Sequence, residues 1–253
     1  MGEIAIRAEN ISKFYPLTHG RSPDLRELIA AKFRFGSSDS HFKEDEFWAL
    51  KSISFELGYG EVVFLSGHNG AGKTTLLRVL SGITDPTEGR VASYGRMSSL
   101  LEVGAGFHGQ LTGRENVYVH GAVLGMKKCE ISRQFDAIVS YAGLDQFIDT
   151  PIKRWSRGMC VRLAFSVAAH SNSDIFLIDD VLDAADASFR NGCLKKIVCS
   201  AALGRLIVLV SHDQEFAREI STRVLHFEHG ELVSDRKSRP VLLRSRLGPV
   251  ASV

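Results

Sequence analysis

GHNGAGKT, residues 67–74, follows the pattern glycine, any four residues, glycine, lysine, then serine or threonine. Glycines let successive backbone N–H groups turn inward around phosphate oxygens. Lys73 brings a cation to the β- and γ-phosphates, and the Thr74 hydroxyl is a ligand for Mg²⁺. The pattern has force only between a strand and a helix. Here EVVFLSG precedes it as a buried strand, and KTTLLRVLSGI follows as a helix whose positive end adds to the cradle. Gly67, His68, Asn69, Gly70, Ala71, Gly72, Lys73, Thr74 and the next residue, Thr75, are therefore the candidate nucleotide-binding loop, with phosphates and Mg²⁺ as ligands.

Working outward, IFLIDD, residues 175–180, sets two acids at the end of an apolar strand. Ligands of open α/β sheets lie at the carboxyl ends of the strands. That places Asp179 beside the phosphates, holding Mg²⁺ directly or through water. Asp180 is the second acid, with a reacting water as its natural partner. RLIVLVSHD ends a further buried strand at His212, a histidine beside the same phosphate site. In RWSRGMCVRLAFSVAAHS, Ser156 and Gly158 precede an amphipathic helix. Ser156 can cap that helix, and its first-turn amides can receive an anion.

The rest of the chain reads as one α/β domain of 253 residues. EIAIRA and FWALKSISFEL are β-type runs, and the interval between them is polar, with Leu25, Leu28, Ile29 and Phe33 on one face of a short helix. That 17–47 insertion is either a plain surface helix or a helix that docks on a partner. From about residue 99 to 168 the texture is helical, with a capping-box pattern at Thr112 and Glu115 and one apolar face at Ile131, Phe135, Ile138 and Val139. RVLHFEHGELVSD reads as a hairpin turning at His229–Gly230. Residues 235–253 form a basic tail, solvated or in contact with anionic lipid or a partner. The picture is a mostly parallel sheet with an antiparallel β edge and an inserted helical subdomain.

Composition narrows the function. Net charge is +2 and 44% of residues are hydrophobic, so the chain buries a sizeable core and presents no field for nucleic acid. The four cysteines have no CxxC spacing and read as ordinary buried or half-buried thiols. The N-terminus has no signal-peptide pattern, and no stretch approaches the ~18 apolar residues of a membrane span. Work at a membrane therefore requires another chain to hold this one there.

In order and spacing these pieces resemble the ATP-binding subunit of an ABC transporter, a P-loop NTPase fold. Residues 67–74 resemble its Walker A motif and IFLID its Walker B. WSRGM stands where the family carries its signature, usually LSGGQ, and puts Ser156, Arg157, Gly158 and Met159 there. AAD resembles the D-loop, ending at Asp186, and His212 the switch histidine. LLEVGAGFHGQLTGRENVYVHG and the SxGM form of the signature are similar to the ATPases of O-antigen, capsule and teichoic-acid exporters.

The resemblance implies a head-to-tail homodimer at the cytoplasmic face of the bacterial inner membrane. ATP lies between the Walker A loop of one chain and the signature of the other. An integral membrane permease carries the polysaccharide, with one of its helices in the cleft near Glu102 and Arg114. Tyr15 in ISKFY, beside Phe14, matches the family's adenine-stacking aromatic. Three departures follow. Arg157 replaces the first signature glycine. Glu102 is the nearest candidate for the missing Q-loop glutamine. Asp180 stands where the family usually has a catalytic glutamate, one methylene or about 1.5 Å longer. Either the backbone brings Asp180 closer and turnover is normal, or the site hydrolyses slowly and the chain acts more as a nucleotide-gated clamp. Competing readings are a soluble ABC-type ATPase acting on ribosomes or DNA, and a subunit of an importer or drug exporter.

Overall fold

The computed structural model describes residues 3–16, 46–101 and 106–238. The expected helix within 17–47, Glu102, and the tail beyond residue 238 lie outside these residues.

Three short runs build the centre: β3 (Val62–Ser66), β6 (Ile175–Asp179) and β7 (Leu206–Val210). Every residue in them is buried, as expected of parallel strands covered on both faces. With β5 (Met97–Leu100), β8 (Arg223–Glu228) and β9 (Glu231–Lys237) they form a sheet of order β5-β6-β7-β3-β8-β9. All its neighbours run parallel except β8 and β9. That last pair is the expected hairpin. His229 and Gly230 both have positive φ, 48° and 82°, the two-residue turn that suits strand twist. A separate antiparallel sheet of order β2-β1-β4 joins β1 (Ile4–Pro16), β2 (Glu46–Gly58) and β4 (Glu88–Ser93).

Strand alternation divides the core. Val63 and Leu65 face a cluster shared with the antiparallel sheet and with Leu76 and Leu77 of α1 (Lys73–Leu80). Val62 and Phe64 point to the opposite face, against α4 (Arg157–Ala169) and α5 (Ala187–Ala202). The helical lobe has its own cluster between α2 (Gly113–Val123) and α3 (Lys128–Ala142), built on Val117, Ile131, Phe135 and Ile138. Helix α4 belongs to both. Val161, Ala164, Phe165 and Ala168 face the sheet, while Leu163 and Val167 face the lobe. The lobe is thus fixed to the core through this two-faced helix, with Tyr141 of α3 adding a second contact on Phe189 of α5 at 5.7 Å between ring centres.

The caps follow the sequence. Thr112 accepts the Glu115 N–H at 3.2 Å and Glu115 accepts the Thr112 N–H at 2.8 Å, closing the capping box. Gly143 ends α3 at φ 62°. Three boundaries move. Residues 99 and 100 belong to β5, paired with β6, so the helical stretch starts later. Phe47 belongs to β2, not to the insertion. Asp235, Arg236 and Lys237 belong to β9, not to a tail, because Asp235 pairs across the hairpin with Arg223 at 2.6 Å. Cys129 and Cys199 are exposed rather than buried, each near a helix end, and all four thiols are free.

Candidate functional site

The loop at 67–74 is shaped by close backbone approach. A Cβ on Gly67 (φ 148°) would meet the Phe227 carbonyl oxygen at 2.3 Å, and one on Gly72 (φ 99°) the Ala49 carbonyl at 2.4 Å. Gly72 is the N-cap of α1 and contributes no side-chain cap, so the first amides of that helix remain for a ligand. Lys73 folds back over the loop, and its Nζ donates to the carbonyls of Gly67 at 2.7 Å and His68 at 2.8 Å. Burial holds the Lys73 ammonium below its ordinary range, against the pull of Asp179 and Asp180.

Parallel pairing of β6 with β7 brings the acids to this loop. Thr74 hydrogen-bonds to Asp179 through its side chain. Asp179 is buried, and that burial pushes its carboxyl above the ordinary range; Asp180 adds to the shift, while the Thr74 bond and the Lys73 charge oppose it. A buried carboxylate and a hydroxyl, both hard oxygen donors beside a phosphate cradle, suit Mg²⁺, which takes one or two protein oxygens and fills its shell with water and phosphate.

Asp180 takes a left-handed backbone (φ 49°, ψ 18°), and its N–H donates to the Val210 carbonyl at 3.0 Å. This turns its carboxylate onto His212. Oδ1 accepts the His212 backbone N–H at 3.0 Å, and Oδ2 lies 2.5 Å from His212 Nε2. Two residues distant in sequence thus form one unit at the mouth of the site.

These groups line one cavity of 970 Å³ with Asn69, Gly70, Gly72, Thr74 and Thr75, near the upper end of ligand-pocket volumes. Gly67, His68 and Ala71 do not line it: Ala71 is fully buried, and the His68 ring packs on His229 at 5.0 Å between centroids. Their part is to shape the backbone. Arg157 and Cys160 of α4 line the same cavity from the lobe side. Ser156 caps α4 by accepting the Met159 N–H at 3.2 Å, which leaves its own hydroxyl hydrogen to donate elsewhere. Asp186 caps α5 by accepting the Phe189 N–H at 2.9 Å, with Arg162 at 3.7 Å. That N–H holds the Asp186 carboxyl below the ordinary range, and Arg162 adds to the effect.

Tyr15 is not on the cavity wall. It faces a neighbouring hollow of 710 Å³ with Arg78, Ile83, Leu101, His120 and Val123, and Lys13 Nζ sits 5.4 Å from its ring centre. Two phenylalanines do line the cavity: Phe107 on the lobe side, and Phe47, 49% exposed, whose strand partner is Tyr15. The sequence reading missed Phe47; the aromatic pair opening FWALKSISFEL was its only signal. Among the described residues no group of three or more His, Cys, Asp or Glu side chains has the geometry of a metal centre.

Comparison with known proteins agrees with this geometry. The ABC transporter family profile matches residues 50–183. The chain is 38% identical over 230 residues to the O-antigen export system ATP-binding protein RfbB of Klebsiella pneumoniae, covering 91% of this chain and 92% of that one. It is 36% identical over 229 residues to the teichoic acids export ATP-binding protein TagH of Listeria innocua, covering 90% of this chain and 66% of that one. The fold matches an ATP-binding cassette solved as a dimer in a post-hydrolysis state with ADP and phosphate, at TM-score 0.73 and 21% identity, over 92% of this chain and 99% of that one.

Proposed function

This chain belongs to the ABC transporter family, and on that premise we propose that it binds and hydrolyses ATP to power export of a polysaccharide or lipid-linked glycan across the bacterial inner membrane. The observation that carries the reading is the meeting of Lys73, Thr74, Asp179 and the Asp180–His212 unit on one cavity. The names of the relatives supply the substrate class, O-antigen in one case and teichoic acids in another.

In this reading Lys73 exchanges its two carbonyl partners for phosphate oxygens. The loop amides and the start of α1 take the remaining phosphate charge. Mg²⁺, when bound, neutralises charge on the transferred phosphate; Thr74 and Asp179 are the residues that hold it. Asp180 orients the attacking water, and His212 fixes the position of Asp180. Phe47, rather than Tyr15, is the better-placed π surface for adenine.

Two copies act together. Ser156, Arg157, Gly158 and Met159 of one copy approach the phosphate held by the other, with the free Ser156 hydroxyl hydrogen available to it. Asp186 stands at the start of α5 to meet the partner. A closed dimer makes more contacts to ATP than an open one, so ATP favours closure and phosphate release reverses it. The hollow beside Tyr15, edged by the exposed Ile83 and Val123, is the seat for a permease helix. No helix of the described residues is long and apolar enough to cross a membrane, consistent with a peripheral subunit held by that permease.

The tests are direct. Purified protein hydrolyses ATP with Mg²⁺, and Lys73→Ala abolishes it. On the slow-site reading, Asp180→Glu raises turnover by extending the carboxylate about 1.5 Å. Affinity capture from membranes recovers a multi-span permease, and deletion of the gene removes a surface glycan. Recovery of ribosomal proteins in place of a permease overturns the transport reading.

A further inference from the structure

At the far end of the central sheet from the nucleotide cavity, β6 and β7 begin at Ile175 and Leu206. A second hollow, of 440 Å³, opens there between the end of α4, the loop before β6 and the last turns of α5. Its polar wall includes Arg205, Lys196, His170, Ser173 and Ser200. Arg205 is only 8% exposed. A single amino group of its guanidinium donates to the Ser98 hydroxyl at 2.9 Å, the Ser171 hydroxyl at 3.2 Å, the Ser173 hydroxyl and the Ala168 carbonyl at 3.3 Å. Its Nε is buried and has no hydrogen-bond partner.

Every acceptor that Arg205 meets is neutral. Among the described residues no ion pair joins Arg205 or Lys196 to a carboxylate, and Asp174 attracts Arg205 from beyond that distance. The one acid on the wall, Asp174, has its Oδ2 engaged by the Arg96 N–H at 2.7 Å. A buried guanidinium with an orphaned N–H, and with Asp174 as a counter-charge only beyond ion-pair distance, is expensive to maintain. Here a second cation stands beside it. Lys196 and Ser200 lie one turn apart on α5 and share a face. Burial first, then the charge of Arg205, holds the Lys196 ammonium below its ordinary range. His170 is lowered in the same way, by burial first and with Lys196 contributing.

We propose that this hollow binds a phosphate oxyanion, free phosphate or a phosphomonoester, between Arg205 and Lys196 with the Ser200 hydroxyl as a further donor. Two cations and a hydroxyl, Arg205 from just before β7 and the other two from one face of α5, suit a tetrahedral group that accepts along several directions. The hollow is larger than phosphate itself, which leaves room for an ester substituent. The bound anion ties the start of β7 to α5, so its occupancy stabilises the folded chain by mass action.

The test is thermal unfolding of the Lys73→Ala protein, in which the nucleotide loop has lost its phosphate-binding cation. Inorganic phosphate, glycerol 3-phosphate and acetate are compared with chloride at equal ionic strength. At ten times its dissociation constant, phosphate raises the midpoint by about 3 °C, and acetate does not. A larger shift with glycerol 3-phosphate than with phosphate identifies the ester as the better ligand; the reverse order identifies the free ion. Lys196→Gln removes the shift. Ser200→Asp also removes it and raises the midpoint without added anion, because it supplies the missing carboxylate from within. The proposal fails if phosphate gives no shift, if acetate gives an equal one, or if the shift survives Lys196→Gln.

Discussion

Asp180 and His212 touch at two points, so perturbing either one tests the pair. Asp180→Asn keeps the shape of the side chain and removes its charge. Loss of a water-orienting acid costs about 10²-fold or more in turnover. His212→Ala leaves the charge and removes its support, since the 2.5 Å contact to Nε2 is lost. A displacement of about 1 Å in a reacting group costs about 10²-fold. If the two residues were independent, the double variant would lose the product, about 10⁴-fold. As a single unit they lose little more together than the worse one does alone, about 10²- to 10³-fold. The assay is single-turnover phosphate release at saturating MgATP, with nucleotide affinity measured separately so that binding defects are divided out. A multiplicative loss in the double variant refutes the unit. Turnover unchanged by Asp180→Asn removes Asp180 from the chemistry altogether.

Other perturbations reach different parts of the site. The Asp179 carboxyl is raised above its ordinary range, chiefly by burial, so its ionised form costs stability at pH 7 and its protonated form does not. Asp179→Asn therefore stabilises the nucleotide-free protein at pH 7 in urea unfolding, abolishes Mg²⁺-dependent hydrolysis, and loses its stability advantage as pH falls towards the ordinary carboxylate range. Gly72→Ala forces a Cβ to within 2.4 Å of the Ala49 carbonyl at φ 99° and costs about 3 kcal/mol, read as a lower thermal midpoint. Phe47→Ala weakens ATP binding by about 3- to 10-fold in a fluorescent-nucleotide titration, the value of one stacked pair, while Tyr15→Ala leaves it unchanged.

What the sequence disclosed follows physical range. The loop at 67–74 was legible because each residue's task is local: glycine for approach, lysine for charge, threonine for a hydroxyl. The meeting of Thr74 and Asp179 was legible too, because parallel strands deliver their carboxyl ends to one edge. The Asp180–His212 unit was not, although both residues were named. It depends on a left-handed backbone at a non-glycine position, which no residue type announces. Phe47 and Tyr15 are strand partners, yet they line different hollows. Register shifts between Lys13 and Phe14, and at three earlier points of β1, break the simple alternation by which a sequence reader assigns faces. Asp235 reads in the sequence as the start of a polar tail, whereas its partner Arg223 stands across a hairpin.

The ammonium of Lys73, resting on two carbonyls of its own loop, has a consequence for selectivity. Those two contacts latch the loop in a defined shape, and a nucleotide has to replace them. It has to outbid the latch. One phosphate group has oxygens enough to replace both carbonyls, while a chain of phosphates also reaches the amides of α1. The length of the phosphate chain thus counts before any contact with the base.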